Sequence, residues 1–336
     1  MTARPTLEKV AERAGVSRAT VSRVVNGSAH VTPEIRAAVL RAVEELGYVP
    51  NLAARSLATR RADSVALVFS EPPTRVFSDD PMFPSLIRGV SRETEAADKH
   101  LVLMLAGSPR GQERVERYAT AGHLDGVIVA SMHGADPLPA VLARRGVPVV
   151  CSGRSLTAGA RGAPPCVDVE NVRGAERAVE HLVTAGRRRI ATIAGPQDMV
   201  AGIDRLTGYR NVLRGSDRRS IVAVGDFTRE SGIAAMRQLL RDDPGLDAVF
   251  AASDMMALGA LQVLRQAGRR VPHDVAVVGF DDVPAASYAE PPLTTVRQPL
   301  HRMGRELARL VLTLASGQDP GAPVILPTEL VVRDSA

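Results

Sequence analysis

The sequence predicts a small all-α head joined by a short hinge helix to a two-lobed α/β core of parallel sheets. Three observations carry this. The 336 residues divide sharply in charge: residues 1–61 hold ten Lys/Arg against five Asp/Glu, a net +5, whereas residues 62–336 hold 32 of each. The basic end reads as three short helices with start and stop signals. After Asp63 the pattern changes to short apolar runs alternating with helix-length segments, the signature of parallel strands covered by helices. A basic end on a neutral body is what a phosphate-binding module would show, although a merely solvated basic surface gives the same charge. Of the cations only Lys9 and Lys99 are lysine, which with the abundance of Ala and Gly reads as compositional bias.

In the head, Leu7, Val10, Ala11 and Ala14 recur at helical spacing behind Thr6, which is placed to cap the first turn. Gly15 breaks that helix. Ser17 can cap a second, which closes at Asn26-Gly27. Val21, Val24 and Val25 form one face of it, and Arg18, Ala19, Ser22 and Arg23 point elsewhere. Thr32 and Pro33 open a third helix with an apolar stripe of Ile35, Val39, Val43 and Leu46, and Gly47 stops it. Three short helices with a glycine turn between the first two describe a helix-turn-helix. The valines would anchor the second helix while its other face enters a major groove. Arg18 or Arg23 can donate two hydrogen bonds to guanine, Ala19 can touch a thymine methyl, and Ser17, Thr20, Ser22 and Asn26 suit phosphates or base edges. A protein-binding three-helix bundle is the alternative, and it leaves the arginine face and the charge split unexplained.

Residues 51–59, NLAARSLAT, can form a short helix capped by Asn51, too short to be stable alone in water. On the residues alone this segment reads as a flexible linker with an incidental leucine.

In the core, SVALVF (64–69), LVLML (101–105), GVIVA (126–130), VPVVC (147–151), RIATIA (189–194), SIVAVG (220–225), AVFAA (248–252) and VAVVGF (275–280) read as strands. Helices are expected over 84–97, 171–185, 205–214, 229–240, 254–267 and 299–316. At least eight strands imply two lobes. The division falls near 155–165, giving a first lobe of about 63–160 plus 292–322 and a second of about 166–289 plus 323–336, behind a head of 1–50 and a hinge of 51–62. Polar residues just beyond strand ends are Gly153-Arg154, Gln197 to Arg205, Ser253-Asp254 and Asp281-Asp282. Ligands of open α/β sheets bind there, and two facing lobes would enclose a cleft. Taken singly, Ser253 or Asp254 can be a helix cap, Asp281-Asp282 a turn, and Arg205 a solvated residue.

The runs TLEKVAERAGVSRATVSRVVNG, VTPEIRAAVLRAVEELGYVPN and AARSLATRRADSVALV resemble the head of the lactose-repressor (LacI/GalR) family of bacterial transcription regulators. DGVIV, IAGP, DRLTGYR, SDMMALGAL, VAVVGFDD, PPLTTVRQP and LPTELVVRDS resemble its effector-binding core, which is similar to periplasmic sugar-binding proteins. The resemblance implies that Arg18, Ala19 and Arg23 read operator bases; Thr6, Ser17, Thr20, Ser22 and Asn26 are expected on the DNA face beside them. It implies that the segment at Asn51 and Ala54 folds on DNA and presses Leu57 into the minor groove as a wedge that bends the duplex. In the core it implies effector contacts from Arg205 and Asp281, with Phe83 near the pocket mouth; Arg154, Ser253 and Asp254 join them as candidates because they lie just beyond strand ends. The implied partners are a near-palindromic double-stranded operator, a second copy of the chain and a small effector, a sugar or sugar derivative, with no cofactor and no metal. Ser253 in place of the family's usual Asn, Gly153-Arg154, the unusual SEPPTRVFSDDPMF and the lack of tryptophan distance the site from a common hexose pocket.

The rest excludes other classes. No GxGxxG follows a strand, and there is no GxxxxGK[ST], GxSxG or metal-ligand spacing, so an enzyme on this fold is disfavoured. A solute-binding protein for transport conflicts with the head and with the absence of an apolar signal core at MTARPTLEKV. Apolar runs fall short of a membrane span. The expectation is a cytoplasmic, non-enzymatic regulator.

Overall fold

The computed structural model describes residues 5–25, 30–48, 62–156, 163–214 and 218–336. Two compact units emerge, Met1–Asp63 and Ser64–Ala336.

The first unit contains helices α1 (Leu7–Ala14), α2 (Arg18–Val25) and α3 (Pro33–Leu46). The Thr6 hydroxyl accepts from Lys9 N, and Gly15 ends α1 in the left-handed conformation at φ 66°. Ser17 caps α2 by accepting from Thr20 N at 3.1 Å. Thr32 sits at the start of α3 without a capping hydrogen bond to the backbone; its hydroxyl is engaged by Glu34 instead. Val10, Val21 and Val39 are fully buried, one from each helix, with Ala11, Val24, Ala42 and Tyr48 around them. Burying a valine stabilises by roughly 1.5–3 kcal/mol, so this small core rests on a handful of side chains.

The second unit runs β1 (Ser64–Phe69), α4 (Pro73–Val76), α5 (Met82–Ala96), β2 (His100–Leu105), α6 (Pro109–Tyr118), β3 (Gly126–Ala130), α7 (Leu138–Arg144), β4 (Val149–Ser152) and β5 (Cys166–Val169). It continues through α8 (Asn171–Thr184), β6 (Ile190–Ala194), α9 (Val200–Leu213), β7 (Ile221–Val224), α10 (Arg229–Asp242), β8 (Ala248–Ala251), α11 (Asp254–Gln266), β9 (Ala276–Asp281) and α12 (Pro284–Ser287). Last come β10 (Thr294–Arg297), α13 (Leu300–Ala315), β11 (Val324–Leu326) and β12 (Glu329–Val331). The strands form two six-stranded sheets, β11-β5-β4-β3-β1-β2 and β12-β10-β9-β8-β6-β7. All pairings are parallel except β10 with β12.

Both sheets are covered on both faces, and the sequence shows why. In β1, Val65, Leu67 and Phe69 enter one core while Ala66 and Val68 enter the other. In the second lobe, Val275 and Val277 face one core and Ala276, Val278 and Phe280 the opposite one. Strands apolar at every position are what two-sided burial selects. Helix α13 lies on α5 at close approach: a Cβ at Gly89 would stand 2.3 Å from His301 O and 2.9 Å from Gly304 Cα, so both helices need glycine there.

The lobe boundaries differ from the sequence expectation. The chain does not change lobes near 155–165: β5 returns to the first sheet, between β4 and β11. It crosses after Val169, crosses back between β10 and α13, and crosses again between β11 and β12. Residues 166–169 and 324–326 therefore belong with the first lobe, and 294–297 with the second. Sequence periodicity reports a strand's burial but not which of two sheets supplies its hydrogen bonds.

Candidate functional site

On the head, Ser17, Arg18, Ala19 and Arg23 are exposed, and Thr20 and Ser22 are half-buried, opposite the anchored valines. Arg18 Nε lies 3.1 Å from Glu8 Oε1, with both side chains well exposed. Such a pair is worth at most about 1 kcal/mol, so Arg18 can leave Glu8 for a base edge at small cost. Thr6 is occupied in capping α1. Asn26, Asn51, Ala54 and Leu57 lie outside the described residues.

In the second unit the carboxyl ends of both sheets face a cavity of about 360 Å³ between the lobes. Its floor is built on Arg205 of α9. The guanidinium is buried; Nε donates to Asn171 Oδ1 at 3.0 Å, and Nη1 donates to Ala252 O at 2.6 Å and lies 3.4 Å from Asp281 Oδ1. Its plane stands over the Phe280 ring, 3.8 Å from the centroid. Burial pulls the guanidinium's pKa down while Asp281, Asp168 and Asp254 oppose the shift. Asp281, at the end of β9, is pushed up to about 6 by burial, with Arg205 working in the opposite direction. Gln298 Nε2 donates to the same carboxylate at 2.5 Å.

Backbone strain concentrates here. Ser131 (φ 57°), Phe227 (φ 69°) and Asp281 (φ 124°) line the cavity in a region that non-glycine residues rarely adopt. The Phe227 ring lies against Gly195, where a Cβ would meet it at 2.4 Å. It presents an apolar wall 5.6 Å from the Arg205 guanidinium.

The remaining expected residues fall out differently. Arg154 lines the cavity and spans the lobes: Nε is 3.4 Å from Asp168 Oδ2, and Nη2 donates to Asp204. Ser253 also lines it, with its hydroxyl accepting from Met256 N at 3.2 Å as the cap of α11. Asp254 is a correction. Its carboxylate is fully buried behind β9, accepting from Thr295 Oγ1 at 2.5 Å and Val283 N at 2.9 Å. It does not line the cavity; burial holds its pKa well up. Phe83 is a second correction. It packs edge-on against Phe69 at 5.1 Å in the first lobe's core, and its neighbour Met82 reaches the cavity wall.

Several lining residues escaped the sequence reading: Glu71, Arg75, Asp80, His133, Asp168, Asn171, Asp226, Phe227 and Gln298. Most sit one to three residues past a strand end, the one signal that would have found them. His133 Nε2 is 3.1 Å from Glu71 Oε1 and its Nδ1 2.9 Å from Asp198 Oδ2. Among the described residues no cluster is placed to hold a metal, and no helix is long and apolar enough to cross a membrane.

A helix-turn-helix unit followed by two parallel sheets around a polar cleft can be compared with known proteins. The profile described as "Bacterial regulatory proteins, lacI family" matches residues 6–51, and that of a "Periplasmic binding protein-like domain" matches 179–336. The HTH-type transcriptional regulator CelR of Thermobifida fusca is 50% identical over 341 aligned positions, covering 99% of this chain and 98% of its own. The chain belongs to the LacI family. This LacI-family chain is a DNA-binding transcriptional regulator, as are its relatives. Among solved structures, a CelR–cellobiose complex matches with 48% identity and a TM-score of 0.77, covering 99% of this chain and 100% of its own. A Lac repressor dimer bound to operator and an anti-inducer matches with 29% identity and a TM-score of 0.86, covering 99% of both chains.

Proposed function

We propose that this regulator is a repressor of a catabolic or transport operon, and that its effector is a neutral carbohydrate. Cellobiose, the ligand in the CelR complex, is the first candidate. The observation that carries this is the Arg205–Asp281 cluster on the cavity floor. A guanidinium that only donates beside a carboxylate that accepts suits hydroxyls, which do both. Phe227 offers an apolar wall for a sugar face. Five lining carboxylates (Glu71, Asp80, Asp168, Asp226, Asp281) outnumber three guanidinium groups (Arg75, Arg154, Arg205), so a phosphorylated sugar finds no cationic surplus to hold it.

In this reading Arg205, Asp281, Arg154 and Ser253 contact the effector. Arg18, Ala19 and Arg23 read base edges; Thr6, Ser17, Thr20, Ser22 and Asn26 position the head on the duplex; and Asn51, Ala54 and Leu57 form the hinge. Two copies bind a near-palindromic operator in the cytoplasm, and effector binding changes operator affinity by a coupling free energy of about 1–3 kcal/mol. The test is a thermal-shift series on the full chain with cellobiose, other di- and monosaccharides and their phosphates, followed by operator gel shifts with each binder. A neutral sugar that raises Tm and changes operator affinity supports the proposal. Stabilisation by sugar phosphates alone, or by none of the sugars, overturns it.

A further inference from the structure

We propose that His133 is a charged clasp that holds the two lobes closed around the cavity, an inference that rests on the reading of the cavity as an effector site. His133 follows β3 in the first lobe. Its Nε2 meets Glu71, which follows β1 in the same lobe, and its Nδ1 meets Asp198, in the second lobe's loop before α9. The backbone reinforces the bridge, for Gly134 N donates to Asp198 O at 2.7 Å.

Both ring nitrogens therefore face carboxylate oxygens, which only accept. A neutral imidazole has one donor and one lone pair, so one of the two contacts would set a lone pair against a carboxylate. The imidazolium satisfies both, and the geometry selects it. Glu71 is nearly buried and fixed by the Ser131 hydroxyl, which donates to the same Oε1 at 2.7 Å. The first-lobe half of the bridge is thus rigid, and Asp198, which is half exposed, is the half free to leave. The contact with Glu71 is the largest cause that raises the His133 pKa from 6.5 to about 9; burial opposes it, and Asp198 adds to the rise.

The sign of the pH dependence follows. Closing the lobes brings Asp198 to the ring and favours the protonated form. The contribution of the clasp to closure is thus full while His133 is charged and is lost as pH rises through about 9. Arg154 makes the other charged link across the cleft named above, to Asp204, and that contact raises the guanidinium's pKa further above this range. His133 also lines the cavity, so the clasp closes over whatever occupies it.

The experiment uses the full chain with spin labels at the exposed positions Glu113 in the first lobe and Arg214 in the second. Inter-lobe distance distributions are recorded from about pH 7 to about pH 10, with and without cellobiose, in the labelled parent, His133→Gln and Asp198→Asn. Histidine-selective NMR titration identifies the His133 signal by its loss in His133→Gln. The expected result is a His133 titration point well above 6.5 that falls in Asp198→Asn. The lobes of the parent should open above it, and both variants should be more open at neutral pH. Where cellobiose binds, its Kd should weaken about tenfold in each variant, as for the loss of a charge-assisted bridge. An ordinary His133 titration point, or an inter-lobe distance indifferent to pH and to both substitutions, overturns the clasp whatever the sugar. A pH-dependent distance with no response to cellobiose at any pH keeps the clasp and overturns cellobiose as the effector.

Discussion

Replacing Arg205 with alanine tests the floor of the cavity, and its cost can be worked from the contacts. The change removes the donors to Asn171 Oδ1 and Ala252 O and the cation beside Asp281. Each buried acceptor left unpaired costs about 1–3 kcal/mol. The charge contribution is smaller than a buried ion pair first suggests. Asp281 titrates at about 6 even with Arg205 beside it, so at pH 7 it escapes the lost partner by taking up a proton, at no more than about 1.4 kcal/mol. The sum is about 2–7 kcal/mol of core stability, with the larger part in unpaired acceptors rather than charge. Arg205→Lys keeps a cation but has no planar fork to serve Asn171 and Ala252 together, so it should recover less than half of the loss. The assay is urea unfolding of the full chain, with calorimetric titration of cellobiose and operator gel shifts alongside. Arg205→Ala should lose sugar binding and still hold operator. A variant that unfolds like the wild type, or that still responds to the sugar, would refute the reasoning.

Four further outcomes are expected. Arg18→Ala should weaken specific operator binding by about 1–3 kcal/mol while leaving non-specific DNA affinity largely intact, as measured by competition gel shift. Leu57→Ala should reduce operator bending in circular-permutation or FRET assays, with the affinity falling in parallel. Gly195→Ala puts a methyl 2.4 Å from the Phe227 ring; it should displace that wall and weaken sugar binding at least tenfold while sparing DNA binding, which titration calorimetry and gel shift would check. Asp281 has a folded pKa of about 6 against an ordinary 3.8. The folded state therefore holds an extra proton through that window, and stability falls by roughly 3 kcal/mol as pH rises across it. Asp281→Asn should flatten that decline in thermal melts recorded across the window.

Much of this organisation was legible in the sequence because it is local. Caps at Thr6 and Ser17, the left-handed glycines at 15 and 47, and the valine face of α2 are short-range signals that no tertiary context overrode. The eight apolar runs became strands; in six of them two-sided burial leaves a clear trace, while β2 and β7, at the sheet edges, are apolar with little of it buried. The strands at 166–169, 294–297, 324–326 and 329–331 left no such run: Asp168 interrupts the first, Thr294, Thr295 and Arg297 leave one apolar residue in the second, and the last two span only three residues each. In the cavity, Arg205 and Asp281 were found, whereas the reading missed Glu71 and His133, whose roles exist only once β1 and β3 lie side by side. Asp254 was misplaced because sequence gives the position of a carboxylate but not its direction: Ser253 faces the cavity and the next residue turns back beneath β9. Phe83 was misplaced by one helical position, since Met82 takes the cavity wall.

The interleaving of the lobes bears on how the chain is made. Each sheet takes an edge strand from residues 324–331, and α13, which covers the first sheet, is nearly as late. Ser335 is fully buried, and its hydroxyl accepts from Thr294 N and donates to Val277 O. A chain released only as far as residue 300 would hold two unfinished sheets, one lacking β11 and the other β12. Neither wall of the cavity is finished until the 324–331 segment has emerged, so the two lobes mature together rather than one after the other.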